Sequence, residues 1–313
     1  MKVFALVCLY SMYFVVAVIF YHAKGDKVYE FSTFSSQTMS EVLKFAMSVV
    51  LFKNEQNIRW SNVYYVYWAQ MGQGWCFFGS FILSICYSIN NQLTFLLYTL
   101  TTPVIISLIK SASPVVTAVL TLLIMRQNRT QLGWLALVIQ TLGMIVAQYD
   151  PCKGALRMDN IVYVMGLLSL TLTSSCSVFN TELLKRFSVT TSMHAINMTM
   201  YVVGALFNFL LHHHNNVNNG GPGIYENYTG YTLLVILCNS LLGLAVTYVY
   251  KYADAIIKTL AQSLNICSLL LFGPVLFGST VEFMEVVGTT IVCLATYIYV
   301  NSSSVSQKTT LPK

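Results

Sequence analysis

Ten apolar segments, most of them near twenty residues long, follow one another along this 313-residue chain with short polar connections between them. About 20 residues of α-helix cross the hydrocarbon core of a bilayer, and a helix satisfies its own backbone hydrogen bonds there. The sequence therefore predicts an all-α integral membrane protein. The second segment is short and the third runs closely into the fourth, so nine spans is the alternative to ten. The predicted spans are Val3–Phe20, Thr38–Phe52, Trp75–Leu97, Val104–Met125, Leu132–Gln148, Val162–Leu184, Met193–Leu211, Tyr231–Tyr250, Ile256–Phe277 and Val281–Val300.

Composition agrees with a membrane location. Hydrophobic residues make up 56% of the chain and charged residues 9%, where a soluble domain carries about 25% charged. A soluble protein of this composition would expose large apolar patches to water. The first segment exceeds the roughly 7–15 apolar residues of a signal peptide and no A-x-A site follows it, so it is predicted to be a retained helix. The polar connections are too short for an independent domain, and residues 1–313 form one transmembrane domain.

The basic residues predict the orientation of the chain in the membrane. With a cytosolic N-terminus and ten spans, ten lysines and arginines lie on the cytosolic side and four on the other. This bias follows the positive-inside rule, so both termini are predicted to be cytosolic. The net charge of +6 is therefore explained by the orientation in the membrane, and it does not indicate binding to nucleic acid. The cytosolic residues are Lys2, Lys53, Arg59, Arg126, Arg129, Lys185, Arg186, Lys251, Lys308 and Lys313, and the others are Lys24, Lys27, Lys153 and Arg157.

The longest non-cytosolic connection is His212–Gly230, which is rich in Asn and Gly and is predicted to be irregular. It contains Asn227 in an Asn-Tyr-Thr sequence, a candidate for N-glycosylation on the lumenal side. Adjacent histidines on a helix diverge by about 100°, so a metal site at His212–His214 is the less favoured interpretation. Seven of the eight cysteines lie within spans, and their spacing indicates neither a disulfide framework nor a zinc site.

A faint internal repeat links the two halves of the chain. Lys110 in the fourth span and Lys258 in the ninth are each followed by small and hydroxyl residues. A repeat of five helices inverts its second copy, as is common among transporters. The sequence therefore predicts two inverted five-helix repeats, residues 1–150 and 151–313, with both lysines facing one central cavity.

Ionisable residues inside spans are costly unless they are paired or hydrated, so each is a functional candidate. Lys110 has no acidic residue near it in sequence, and it is either a ligand for an anion, a snorkelling side chain or the partner of a distant carboxylate. Lys258 follows Asp254 by four residues, so a helical salt bridge is its alternative role. Glu41 and Lys44 stand three apart and are predicted to form a local ion pair.

Two pairs of polar side chains lie four residues apart, Tyr87 with Asn91 and Asn197 with Tyr201, so each pair shares one helix face. Such residues join helices by hydrogen bonds. Beside lysines they also suit a nucleotide, because Tyr stacks on a base, Asn pairs with amide edges and Lys neutralises phosphate.

These residues carry a resemblance to a known family. The Glu41-x-x-Lys44 helix, the Tyr87-x-x-x-Asn91 motif, Glu182-Leu-Leu-Lys185, Asn197-x-x-x-Tyr201 and the stretch from Gly243 through Lys251 and Asp254 to Lys258 resemble the nucleotide-sugar transporters of the drug/metabolite transporter superfamily. The branch that carries CMP-sialic acid, UDP-galactose and UDP-N-acetylglucosamine is the most similar. The chain departs from it at Gln92, where the family has Asn, and at Ile105–Ile109, where the family has Tyr-Gln ahead of the lysine.

The resemblance implies a Golgi or endoplasmic-reticulum antiporter, with no enzymatic activity and no cofactor or metal, that exchanges a cytosolic nucleotide-sugar for a nucleoside monophosphate. A UDP-sugar is the substrate expected from the family. Lys110 and Lys258 would hold the phosphates with Thr247 nearby, and Tyr87, Asn91, Asn197 and Tyr201 would contact base and ribose. The gate and ion-pair candidates are Glu41, Lys44, Glu182, Lys251 and Asp254.

Two other functions stay open at this point. One is transport of another small phosphorylated anion, which needs the lysines without the base-contacting set. The other is a non-transporting regulatory member of the family, for which the altered fourth helix is the argument. The sequence is also compatible with a homo-oligomer in the lipid membrane.

Overall fold

The computed structural model describes residues 2–23, 31–72, 74–101, 106, 109–148, 160–219, 223–277 and 281–308. Lys24, Lys27, Lys153, Arg157 and Lys313, used above for topology, lie outside these ranges. Regular structure in the described ranges is helical, without a strand, which confirms the all-α class. The helices are α1 (Lys2–Ala23), α2 (Thr33–Gln56), α3 (Val63–Met71), α4 (Gly74–Leu100), α5 (Ser113–Met125), α6 (Gln131–Ala147), α7 (Asn160–Arg186), α8 (Met193–Asn219), α9 (Gly230–Tyr252), α10 (Ala255–Phe277) and α11 (Phe283–Lys308), with a 3-10 turn at Trp60–Asn62.

Five described helical segments are long and apolar enough to cross a membrane: Asn160–Arg186, Met193–Asn215, Gly230–Tyr252, Ala255–Phe272 and Phe283–Ser302. Three shorter apolar segments accompany them, Val3–Ile19, Ser113–Met125 and Gln131–Ala147.

Burial on α7 is reversed relative to a soluble helix. Leu167 and Leu168 are exposed, whereas Ser169, Ser174 and Ser177 are fully buried. Small hydroxyl residues inside and apolar residues outside are typical of helices packed in lipid. The chain is a multi-pass membrane protein.

The described helices divide into two compact units. Unit 1 comprises residues 1–14, 90–178 and 252–313, and unit 2 comprises residues 15–89 and 179–251. Each unit therefore combines segments from both halves of the chain.

In unit 1, α6 packs along α11, and α10 packs against both α5 and α11. Gly288 on α11 lies so close to Ala147 that a Cβ atom at Gly288 would overlap the backbone of α6. Met144, Cys267 and Val292 form a buried core between α6, α10 and α11. Small residues permit such close helix contacts, which supply much of the association energy in a membrane.

In unit 2, α2 packs along α8. The hydroxyl of Ser32 caps α2 by accepting from the Ser35 amide at 3.3 Å, and it lies 2.9 Å from Nδ1 of His212 on α8. The Ser84 hydroxyl donates to the Met200 carbonyl at 2.5 Å. These bonds fix the position of α8 relative to α2 and α4.

Helix α8 continues to Asn219, so the prediction that the connection is irregular from His212 onward is wrong. His212 is buried and contacts Ser32, and this tertiary contact stabilises helix past the end of the apolar run. From Gly223 to Thr229 the described chain is non-helical, as predicted.

The fourth span is interrupted rather than continuous. Residues 109 and 110 are helical, 111 and 112 form a turn, and α5 begins at Ser113 with Pro114 in its first turn. Proline lacks an N–H and its ring clashes with the carbonyl four residues earlier, which is that of Lys110. Lys110 therefore lies at a helix break instead of in the middle of a helix.

The short helix α3 was not predicted. Tyr64, Tyr65 and Trp68 on it are exposed, and the Tyr67 hydroxyl lies 2.7 Å from that of Thr199 on α8. Nine residues are too few to cross a bilayer, and aromatic residues of this kind favour the membrane–water interface.

Candidate anion-binding site

Lys258 lies in the first turn of α10, which begins at Ala255 after a break at Ala253–Asp254. The side chain is buried, with 7% of its surface exposed. Its Nζ donates to the hydroxyl of Ser177 on α7 at 3.4 Å.

Lys110 is held in a similar way. Its Nζ donates to the hydroxyl of Thr94 on α4 at 3.4 Å, and the charges of Lys110 and Lys258 repel each other within unit 1. Thr94 in turn donates to the Asn90 carbonyl at 2.9 Å, and Ser177 donates to the Thr173 carbonyl at 2.8 Å. Each ammonium group therefore donates to a hydroxyl that itself donates to a backbone carbonyl of its own helix.

A row of hydroxyls joins the two lysines. Ser169, Thr173 and Ser177 are spaced by four residues and line one face of α7. Asn90 Oδ1 accepts from Ser169 at 3.3 Å and from Thr173 at 2.9 Å, and Ser169 lies 3.5 Å from Thr94. We call these residues the hydroxyl ladder: Asn90, Thr94, Ser169, Thr173 and Ser177.

The surroundings of the two lysines favour an anion. Lys258 stands in the first turn of α10, where the helix dipole disfavours a cation and attracts an anion. Lys110 stands at the helix break that precedes α5. In the part of the chain that the structure describes, no carboxylate lies within salt-bridge distance of either ammonium group. One buried and one half-buried charge, each compensated by a long hydrogen bond to a hydroxyl, are costly in a membrane, and a phosphate group would supply the missing charge.

Unit 2 holds the second group of predicted residues. The predicted ion pair is confirmed, with Lys44 Nζ 2.7 Å from Glu41 Oε1. Lys44 also lies over the ring of Tyr201, 5.5 Å from its centre. Gly243 leaves room for this lysine, because a Cβ atom there would lie 2.8 Å from Lys44 Cε.

The remaining predicted contact residues occupy different positions. Tyr201 Oη lies 3.4 Å from Thr247 Oγ1, and Asn180 Nδ2 donates to Tyr87 Oη at 3.3 Å. Asn197 is buried, and within the described ranges its Nδ2 has no hydrogen-bond partner. Asn91 is half-buried in unit 1.

Sequence reasoning missed Asn90, Asn180 and the ladder hydroxyls. The four-residue spacing of Ser169, Thr173 and Ser177 was the available signal, since it places three hydroxyls on one face of the helix.

The alternative role considered for Lys258, a salt bridge to Asp254, is wrong. Asp254 Oδ2 instead lies 3.1 Å from Nη2 of Arg129, in the connection between α5 and α6. Of the other candidates, Lys251 lies in the last turn of α9 and Glu182 is half-buried on α7. Asn227 is exposed with a left-handed φ of 59°.

The helices are those of a membrane protein, and Lys110 and Lys258 are the residues in unit 1 that could hold an anion. The profile of the nucleotide-sugar transporter family matches residues 1–300. This chain belongs to the nucleotide-sugar transporter family, which is a family of transporters whose substrates are nucleotide-sugars.

Curated relatives are similar at low identity. CMP-sialic acid transporter 2 of Oryza sativa subsp. indica is 25% identical over 222 residues, which cover 70% of this chain and 62% of that protein. CMP-sialic acid transporter 3 of Arabidopsis thaliana is 28% identical over 68% of this chain and 54% of that protein. CMP-sialic acid transporter 2 of Arabidopsis thaliana is 27% identical over 83% of this chain and 67% of that protein. The match thus spans between half and two thirds of the length of these relatives.

The fold also occurs in a solved crystal structure, which covers 95% of this chain and 95% of its own with a TM-score of 0.66 at 11% identity. At that identity the likeness shows the fold alone.

Proposed function

We propose that this chain is an antiporter that takes a cytosolic nucleotide-sugar into the lumen and returns the nucleoside monophosphate. The observation that carries the proposal is the pair Lys110 and Lys258, two ammonium groups held by hydroxyls in unit 1. A diphosphate or monophosphate would exchange these long hydrogen bonds for charge-assisted ones, which are shorter and stronger.

The same pair accounts for exchange. When no ligand is bound, closing the site would bury two positive charges without an anion, which is strongly unfavourable. Closing it around either phosphate-bearing ligand removes that cost. The loaded carrier would therefore change between its two conformations faster than the empty one, and uptake would depend on a nucleotide inside the vesicle.

The proposal includes ten spans in two inverted five-helix repeats. Helix packing supports the repeat, because the second predicted span packs on the seventh (α2 on α8), the fourth on the ninth (α5 on α10) and the fifth on the tenth (α6 on α11). All three pairs are five spans apart, which is the spacing that two five-helix repeats would produce.

Two classes of pyrimidine nucleotide-sugar are candidate substrates. A UDP-sugar is the expectation from the sequence, whereas the relatives found are named CMP-sialic acid transporters. We propose that the base is a pyrimidine, and both classes belong in the test.

We further propose a Golgi or endoplasmic-reticulum membrane location with both termini cytosolic. The lysine and arginine asymmetry supports this orientation. In sealed microsomes, a terminal epitope tag is expected to be cleaved by added protease, while a tag inserted at Gly223 is expected to be protected. The reverse pattern would refute the orientation.

Exchange in proteoliposomes tests the function. Vesicles loaded with UMP, CMP or GMP are offered labelled UDP-sugars, CMP-sialic acid, GDP-mannose and a simple sugar phosphate. Uptake of one pyrimidine nucleotide-sugar that depends on its matching monophosphate inside is the expected result. Uptake of the sugar phosphate alone indicates a transporter of another anion, and no uptake by a folded protein indicates a regulatory member.

A further inference from the structure

We propose that Arg129 is a positioning residue of the anion site, which keeps Lys258 available to phosphate by holding Asp254. The inference rests on the proposed function, because it assumes that Lys258 binds a phosphate-bearing ligand. It assigns a role to a residue in the connection between α5 and α6, which the sequence had marked only as a cytosolic charge.

Asp254 has two partners close by in sequence and uses neither. An aspartate directly before a helix commonly caps it by accepting from the amides of the first turn. A carboxylate four residues before a lysine also commonly pairs with it along a helix. Instead Asp254 pairs with Arg129, which lies 125 positions earlier in the chain.

The Arg129–Asp254 pair is not built for stability alone. Both side chains are nearly enclosed, with 13% and 7% of their surfaces exposed. Arg129 Nε and Asp254 Oδ1 are buried and have no hydrogen-bond partner within the described residues. A buried ion pair with unsatisfied atoms is a poor source of stability, so its presence calls for another explanation.

That explanation is the charge of Lys258. Lys258 donates to the neutral hydroxyl of Ser177 while Asp254 is occupied by Arg129. Without Arg129, Asp254 would become a buried carboxylate lacking a cation, and Lys258, one helical turn away, is the cation within its reach. A phosphate would then compete with an internal carboxylate for the same ammonium group.

The proposal predicts that the two halves of the ion pair behave differently on mutation. Both Arg129→Gln and Asp254→Asn break the pair, but only Arg129→Gln leaves a free carboxylate beside Lys258. In the purified full-length chain, Arg129→Gln is expected to weaken binding of UMP or CMP at least tenfold, about 1.4 kcal/mol. Asp254→Asn and the double variant Arg129→Gln/Asp254→Asn are expected to bind within about threefold of the parent.

A lysine variant and a nearby tyrosine separate this role from a structural one. In a Lys258→Gln background, Arg129→Gln should no longer change nucleotide affinity, because the competing pair cannot form. Tyr299→Phe is the matched control, since Tyr299 is buried and interacts electrostatically with both Arg129 and Asp254, and it should leave affinity unchanged. Thermal unfolding without nucleotide reports the stability of each variant, and Arg129→Met, which also removes the charge, replaces Arg129→Gln if the latter does not fold.

Three results would overturn the proposal. They are equal weakening by Arg129→Gln and Asp254→Asn, a persisting effect of Arg129→Gln when Lys258 is absent, and no effect of Arg129→Gln on the affinity of folded protein. If the parent binds neither UMP nor CMP, the proposed function fails and this inference fails with it. If the parent binds and the variants do not follow the asymmetry, only the inference is lost.

Discussion

Replacing Asn90 by alanine tests the hydroxyl ladder directly. The Asn90 side chain accepts one hydrogen bond from Ser169 and one from Thr173, so the substitution removes both. Hydrogen bonds between membrane helices average about 0.6 kcal/mol, with a maximum near 1.7, and two such bonds give an expected loss of about 1.2 kcal/mol. Released hydroxyls on α7 would also no longer present a fixed arrangement to Lys110 and Lys258.

The assay compares the alanine variants of two adjacent residues, Asn90 and Asn91. Asn90→Ala and Asn91→Ala are purified in the same detergent, and thermal unfolding with and without UMP or CMP is followed for both. We expect Asn90→Ala to lower the unfolding midpoint and nucleotide affinity, and Asn91→Ala, whose side chain is half-buried outside the ladder, to change the midpoint little. If Asn91→Ala abolishes nucleotide binding while Asn90→Ala resembles the parent, Asn91 is the ligand that the sequence suggested and the ladder has no part in the site.

Three further substitutions test other parts of the structure. Lys110→Gln should cut nucleotide exchange at least tenfold, about 1.4 kcal/mol, without destabilising the empty protein, because it removes a half-buried charge that has no carboxylate partner among the described residues; lower stability with unchanged stabilisation by nucleotide would make Lys110 structural. Gly243→Ala should push the flexible end of Lys44 away from Glu41 and lower the unfolding midpoint slightly, whereas Gly74→Ala, which meets no atom within 4 Å, is the control and should not lower it. Tyr201→Ala should weaken nucleotide affinity by about 1–3 kcal/mol through lost stacking and Tyr201→Phe should retain most of it, because the hydroxyl contact at 3.4 Å is long; equal loss of folding in both variants would make Tyr201 a packing residue only.

The positions of most membrane helices follow from the sequence. The predicted span Leu132–Gln148 corresponds to α6 at Gln131–Ala147, and Ile256–Phe277 corresponds to α10 at Ala255–Phe277. Bilayer thickness dictates the length of an apolar run, so hydropathy alone finds such helices. The Glu41–Lys44 pair was predictable for a related reason, since both partners lie on one turn of one helix.

What could not be predicted depends on partners that are distant in sequence. Helix α8 extends past the apolar run because His212 contacts Ser32. Asp254 pairs with Arg129 and does not pair with Lys258. Asn90 and Asn91 look equivalent in sequence, and only the position of α7 beside α4 selects Asn90. The break after Lys110 is the exception, because Pro114 was visible and its effect on the carbonyl four residues earlier is a general rule.

The contact between Gly288 and Ala147 limits how unit 1 can change shape. Because the backbones of α6 and α11 meet there without an intervening side chain, the two helices would have to separate before one could slide past the other. Packed interfaces of this kind switch between discrete arrangements and do not deform continuously. We therefore expect α6 and α11 to move as one rigid body through a transport cycle. A disulfide between cysteines introduced at positions that flank Ala147 on α6 and Gly288 on α11 should leave exchange intact.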